Sequence, residues 1–291
     1  MPCAKPASSR AFGIVAAALA LSLGGTLVWA AGPRPAPQSA LPPAPLPDSQ
    51  HYERCLSEAH ADPQHGYDDA ASWRNLGGGF PAQHCMAVAL IGLHKYDQAA
   101  TQLESLANAM MMADPAMRAD ALEQAGQAWL LANKPNEAKV AFDSSLAFRP
   151  NDPELLIDRA EAFAMGGKFF DAIDDLNRVL DKTPNRVDAL VYRASAYRQL
   201  GSLDLALDDA ERALRLDPDS VPGLLERGNI RRLKSDSAGA KADWQRVTQL
   251  APGSPEAVSA QDNLTHINEQ PPAAQDLLTG PAAKATTPKK P

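Results

Sequence analysis

The sequence predicts an all-α solenoid of about five helix pairs, and three observations predict it. The first is a period: Pro150, Pro184, Pro218 and Pro252 stand 34 residues apart. Ala138, Ala172, Ala206 and Ala240 keep that step, as do Leu122, Leu156, Leu190 and Leu224, and the small residues Gly126, Ala160, Ala194 and Gly228. Columns in one register at this spacing mark stacked supersecondary units. The second is composition. Aromatics are 5% of a chain rich in Ala and Leu, which suits closely packed helices better than a β-rich core. The third is the layout inside each unit: two apolar stripes with a turn residue between them and a proline after the second.

The elements follow in chain order. Lys5 and Arg10 precede an apolar stretch from Ala11 to Val28, and Val28-Trp29-Ala30 offers a cleavage site. Residues 1–30 read as a signal peptide, so the chain is expected in the periplasm. The alternative is an uncleaved anchor, because the stretch is almost long enough to span a bilayer. Cleavage removes two cations and no acid, taking the formal net charge from −7 to −9. Residues 31–49 carry seven prolines from Pro33 to Pro47 and read as a disordered spacer. Residues 50–79 read as an N-terminal helical segment, in which Tyr67 to Leu76 could form an early half-unit. Gly77-Gly78-Gly79 lacks the Gly-Lys-Ser/Thr of a phosphate loop and reads as a flexible turn.

Five units follow, at 80–118, 119–152, 153–186, 187–220 and 221–254. In the first, Lys95-Tyr96-Asp97-Gln98-Ala99-Ala100 marks the turn and second-helix start, which places the unit's beginning near Phe80. It carries about five extra residues, expected to lengthen its second helix through Met110-Met111-Met112. Unit 187–220 shows the logic of all five. Leu190 and Tyr197 share one face of a first helix, and Ala194 sits between them where the second helix comes close. Gly201 supplies the turn, Leu214 continues the second stripe, and Pro218 ends it. Neither helix can bury its face alone, so stacking completes the core. Residues 255–268 read as a capping helix over the last apolar face. Residues 269–291, with Pro271-Pro272 and a basic Lys289-Lys290-Pro291 end, read as a disordered tail.

These columns resemble the tetratricopeptide repeat family, over about 175 residues. The resemblance implies a right-handed superhelix, a protein or peptide partner, and no catalysis. The last unit departs most: Arg231 replaces the aromatic of Trp129, Phe163 and Tyr197, and Ser235 replaces the turn glycine. In this family the second, fifth, ninth, twelfth and thirteenth residues of each unit line a concave groove. Here they imply a partner groove of Glu123, Gln127, Leu130, Ile157, Glu161, Met165, Val191, Ser195, Arg198, Leu225, Asn229 and Arg232. It is acidic towards its N-terminal half, with Arg198 and Arg232 at the other end. Leu130, Ile157 and Met165 are the expected apolar anchors. The carboxylate clamp of chaperone-binding members is absent, because Glu123, Ile157, Val191 and Leu225 hold its positions.

One covariation inside the sequence concerns structure. Arg159, Arg193 and Arg227 recur on first helices, and Asp175, Asp209 and Asp243 on second helices, at the 34-residue step. The counterparts are Ala125 and Ala141 in unit 119–152, and Met86 and Gln102 in the first unit. Joint presence and joint absence predict semi-buried Arg–Asp pairs; the competing reading is a charged ligand-binding row.

After export the chain keeps Cys55 and Cys85, an even pair that predicts a disulfide in an oxidising compartment. His51, His60, His65 and His84 lie nearby, so a zinc site is the alternative, as are free thiols. A Cys-His nucleophile pair at His84-Cys85 fails because adjacent helical residues do not face each other. No catalytic constellation, cofactor motif or basic nucleic-acid stripe is present. The functional expectation is a periplasmic scaffold or adaptor with no metal or cofactor. The alternative is a thiol-redox or metal-linked envelope assembly accessory using Cys55 and Cys85.

Overall fold

The computed structural model describes residues 48–112 and 114–267. The expected signal peptide, almost all of the Pro-rich spacer and the C-terminal tail lie outside these residues. Thirteen helices and no strand occur among the described residues. They are α1 (Asp48–Ala61), α2 (Pro63–Asn75), α3 (Gly79–Gly92), α4 (Tyr96–Ala109), α5 (Pro115–Leu131), α6 (Pro135–Leu146) and α7 (Pro153–Met165). Then come α8 (Phe169–Lys182), α9 (Val187–Gln199), α10 (Leu203–Leu216), α11 (Val221–Leu233), α12 (Ser237–Leu250) and α13 (Pro255–Thr265). Each helix packs chiefly on its neighbours in sequence, which makes the molecule an all-α solenoid.

Pairs α3/α4 to α11/α12 follow the order of the five units, with α3 starting one residue before the first unit and α5 starting inside it. Within each pair the turn passes through one left-handed residue, namely His94, Asn133, Gly167, Gly201 and Ser235. The need at this position is positive φ, so an occasional side chain is tolerated where glycine is cheapest. Prolines and side-chain caps open three of the five first helices, α5, α7 and α11. Asp114 accepts from the Ala116 amide, Asp152 from Glu154 and Leu155, and Ser220 from Gly223.

The extra residues of the first unit do not go where the sequence suggested. Helix α4 stops at Ala109, and α5 begins early, at Pro115 under the Asp114 cap, to run for 17 residues. A capped proline start outweighs the weak helical continuation of three methionines. Met111 and Met112 stand exposed in the intervening turn.

The α2–α3 turn is also more constrained than its three glycines imply. A Cβ on Gly78 would lie 2.7 Å from the Trp73 ring, so glycine is required there by contact, while Gly77 and Gly79 on either side take positive φ.

Two main apolar cores lie along the solenoid. One runs from Ala87 to Ala213 and includes Phe142, Leu155, Leu156 and Leu190. The other gathers Leu214 of α10 with Leu224, Trp244, Val247 and Ala260 of the last unit and α13. Between them Ala194, Ala206, Ala210 and Ile230 form a small cluster of their own.

Candidate functional site

The Arg–Asp row sits between helices. Arg193 donates from Nε and Nη2 to both oxygens of Asp209, at 2.7 and 2.8 Å. Arg159 does the same to Asp175, at 2.7 Å for both bonds, and Arg227 to Asp243, at 2.9 and 2.6 Å. In two of the three, the remaining edge of the guanidinium has a role the sequence did not reveal. Arg159 Nη1 reaches Asp143, and Arg193 Nη1 reaches Asn177, both on the preceding unit's second helix. Each of these arginines therefore ties its own two helices to the unit before. The hydrogen bonds they donate to Asp209 and Asp243 hold the Arg193 and Arg227 guanidiniums more firmly protonated than usual, against a smaller opposing effect of burial.

Unit 119–152 solves the same junction differently. With Ala125 and Ala141 in place of the pair, the Trp129 indole N–H donates to Glu104 on the preceding second helix at 2.9 Å. In the last unit Arg231 occupies the Trp129 position and adds a second guanidinium to Asp243 at 2.8 Å. Trp129 thus joins its unit to the one before, whereas Arg231 reinforces the pairing of the two helices of its own unit. None of these arginines lies in the groove.

The expected groove residues fall on α5, α7, α9 and α11, the first helices of successive units. Many are engaged with one another. Gln127 donates to Asp158 at 2.8 Å across the α5–α7 junction. Arg198 is paired with buried Glu226 across the α9–α11 junction. Asn229 accepts from Asn263 of α13 at 3.0 Å. Glu123 is held by Arg149 at 2.7 Å, yet burial, together with Asp158 and Asp152 nearby, leaves its carboxyl pKa raised.

One expected anchor is corrected: Ile157 is 4% exposed and belongs to the long apolar core, so it is not offered to a partner. Glu161 is similarly buried. The accessible apolar groups are Leu131, exposed by 56%, and the half-buried Leu130, Met165, Val191 and Leu225. Ser195 is half-buried beside Arg198.

Cys55 of α1 and Cys85 of α3 are joined as a disulfide, and both are fully buried. Their place in the core among Ala59, Ala70 and Met86 presents no thiol to solvent. Beside them the Tyr52 hydroxyl bonds His84 Nδ1, and His84 Nε2 meets Gln124 Oε1, both at 2.8 Å. The His51 ring stacks on Trp73 and bonds Asp69. No group of three His, Cys, Asp or Glu side chains is placed to hold a metal among the described residues. Nor is any described helix long and apolar enough to cross a membrane.

A tetratricopeptide repeat family model matches residues 187–220. No curated protein matches the sequence. Among solved structures, the chain is similar to TTC0263, a thermophilic tetratricopeptide repeat protein of Thermus thermophilus. The TM-score is 0.52 at 18% identity, covering 65% of this chain and 98% of that one. It is also similar to a chain of the APC/C hetero-tetramer Cut9-Hcn1, with a TM-score of 0.56 at 16% identity, covering 75% of this chain and 43% of that one. MamA of Desulfovibrio magneticus gives a TM-score of 0.49 at 20% identity, over 64% of this chain and 97% of that one. Identities of this size speak to fold alone.

Proposed function

We propose that this chain, a tetratricopeptide-repeat protein, works as a protein-interaction scaffold that receives a partner along the first helices α5 to α11. The observation that carries the reading is the division of labour between the two charged rows. The Arg–Asp pairs are spent on joining the two helices of each unit and, through Arg159 and Arg193, on reaching the unit before. The first-helix strip, by contrast, offers Asp120, Glu154 and Leu131 to solvent. An acidic strip with an apolar patch suits an extended or helical peptide carrying basic and apolar side chains. Its location is proposed to be periplasmic, on the strength of the Lys5/Arg10, apolar and Val28-Trp29-Ala30 order.

Two arms test this reading. Affinity capture from an envelope extract, followed by mass spectrometry, should recover a partner with the wild-type chain. The Leu131→Ser/Glu154→Arg variant should lose it, while Phe170→Ser, which alters an exposed apolar group on second helix α8, should keep it. Loss through Phe170→Ser alone would move the binding face to the second helices. N-terminal sequencing of the mature protein should begin at Ala31; an intact Met1 in a cytosolic fraction would remove the periplasmic reading.

A further inference from the structure

Five of the eleven large apolar side chains that stand exposed among the described residues fall in one short stretch of chain. They are Leu76, Phe80, Met111, Met112 and Met117. Apolar groups exposed singly need no explanation, whereas a cluster of them marks an interaction surface. Topology makes these five a cluster. Successive helices joined by short turns and packed on each other run antiparallel, so every second turn comes to the same end of the stack. Leu76 and Phe80 flank the α2–α3 turn, and the three methionines belong to the α4–α5 turn and the start of α5. Both turns therefore share one end, two helix widths or about 20 Å apart.

The chain also enters the solenoid at this end. Contacts between α1 and α2 pair Glu58 with His65, Arg54 with Asp69, and His51 with Trp73, which is an antiparallel order. The start of α1 therefore lies at the end that carries Leu76. The apolar stretch Ala11 to Val28 precedes α1 in sequence. Beside the apolar tips, Arg74 of α2, Gln83 of α3 and Ser105 of α4 line an open polar recess. The single acid of that recess, Asp97, lies at its far end and is paired with Lys134 at 3.0 Å.

We propose that this end of the solenoid is a membrane-docking surface, which sets Leu76, Phe80, Met111 and Met112 into the interfacial layer of a lipid bilayer and Arg74 among its phosphates. The proposal does not rest on the groove reading, since it uses turns and not first-helix faces. Shape decides between lipid and protein. Leu76 is 86% exposed and Met112 99%, so each projects from its turn rather than lining a hollow. A stable contact between proteins needs about 800 Å² per partner with a complementary shape. A second copy would bring the same projecting tips, convex against convex. A bilayer is fluid and accepts projecting side chains without a matching surface, with a strength that follows the apolar area inserted. With this end down, the first units stand upright on the membrane and their first-helix face stays open to the side.

A position-resolved label tests the docking. The chain purified after export carries Met112→Cys or, as the control, Phe170→Cys, each coupled to an environment-sensitive nitrobenzoxadiazole dye. Cys55 and Cys85 are joined and buried, so the new thiol takes the label. Phe170 is exposed at the start of α8, on the opposite end of the stack. With phosphatidylethanolamine–phosphatidylglycerol vesicles, the dye at Met112 should brighten, shift to the blue and be quenched by brominated acyl chains. The dye at Phe170 should not respond. In the unlabelled chain, Leu76→Asp/Met111→Asp should lower the vesicle partition coefficient by about tenfold or more, with circular dichroism and melting unchanged. A silent dye at Met112, an equal response from both dyes, or vesicle binding indifferent to Leu76→Asp/Met111→Asp would overturn the proposal. A Met112 response that needs no vesicles and grows with protein concentration would overturn it in favour of a second copy. Leu131→Ser/Glu154→Arg should leave vesicle binding as it is, so that loss of the groove's partner and loss of membrane docking are read separately.

Discussion

At the scale of single residues, the Arg193 site shows how a charge can serve packing. Its side chain is 18% exposed and that of Asp209 9%, so removing one partner strands the other where water cannot fully replace it. Arg193→Ala is expected to lower stability by about 3 kcal/mol, read from denaturant midpoints. Arg193→Ala with Asp209→Ala should cost less than the two single changes added together. A double variant that costs the full sum would show that the two groups act independently. The pairing partners were legible because two columns vary together along one sequence. The contacts to Asp143 and Asn177 were not, since they join different units through side chains that are not themselves repeated. His84 gives a pH prediction. Burial lowers its imidazole pKa, opposed by the Gln124 hydrogen bond and by Asp120. The unfolded chain then binds more protons than the folded one between the lowered value and about 6.5. The stabilisation is complete above about 6.5 and declines as pH falls through that value. The denaturation midpoint should drop on acidification from about pH 7.5 to 5.5, and His84→Gln should flatten that part of the slope. An unchanged slope would place the proton uptake elsewhere.

At the scale of helix pairs, one repeated contact explains why the small column is sometimes glycine and sometimes alanine. A Cβ on Gly228 would lie 2.5 Å from the Trp244 indole, and one on Gly126 2.5 Å from the Phe142 ring. Where the column holds Ala160 or Ala194, the second helix presents Leu176 or Ala210 at the same register. Close approach is thus matched pair by pair. Gly228→Ala should destabilise by about 1–3 kcal/mol through overpacking. Adding Trp244→Leu should cost less than its own effect in the glycine background, since unit 153–186 already uses Ala160 with Leu176. Thermal or denaturant unfolding of the four proteins decides it, and strict additivity would exclude the steric account. The same scale contains the disulfide, which fastens α1 to the first full unit. Replacing both cysteines by alanine should cost on the order of 3–4 kcal/mol for a closed segment of 30 residues. The loss should appear as faster amide exchange in α1 and α2. Exchange unchanged in those helices would mean that the Tyr52–His84–Gln124 contacts hold the N-terminal pair unaided.

At the scale of the whole molecule, the 34-residue period made the helix pairs readable because each column answers one local steric demand. The first unit broke that reading at Asp114-Pro115, where a cap signal outside the columns moved a helix start. The groove was less legible. Family positions identify first-helix side chains, but whether one faces solvent depends on the next unit's packing, and Ile157 is buried for that reason. The same packing divides the apolar interior. The long core ends at Ala213, the C-terminal one begins at Leu214, and the fully buried side chains between them are three alanines and Ile230, with Tyr197 and Leu207 partly buried against them. In a solenoid, stability is close to a sum of units and junctions, so a thin junction sets where the stack opens. Ile230 is fully buried at this one. Ile230→Ala should cost about 2–5 kcal/mol of protection, felt first by α11, α12 and α13. Site-resolved hydrogen exchange should show these helices opening together at lower free energy, while α5 to α8 keep close to wild-type protection. A uniform loss from α3 to α13 would make the solenoid one cooperative unit, with the alanine junction as strong as any other.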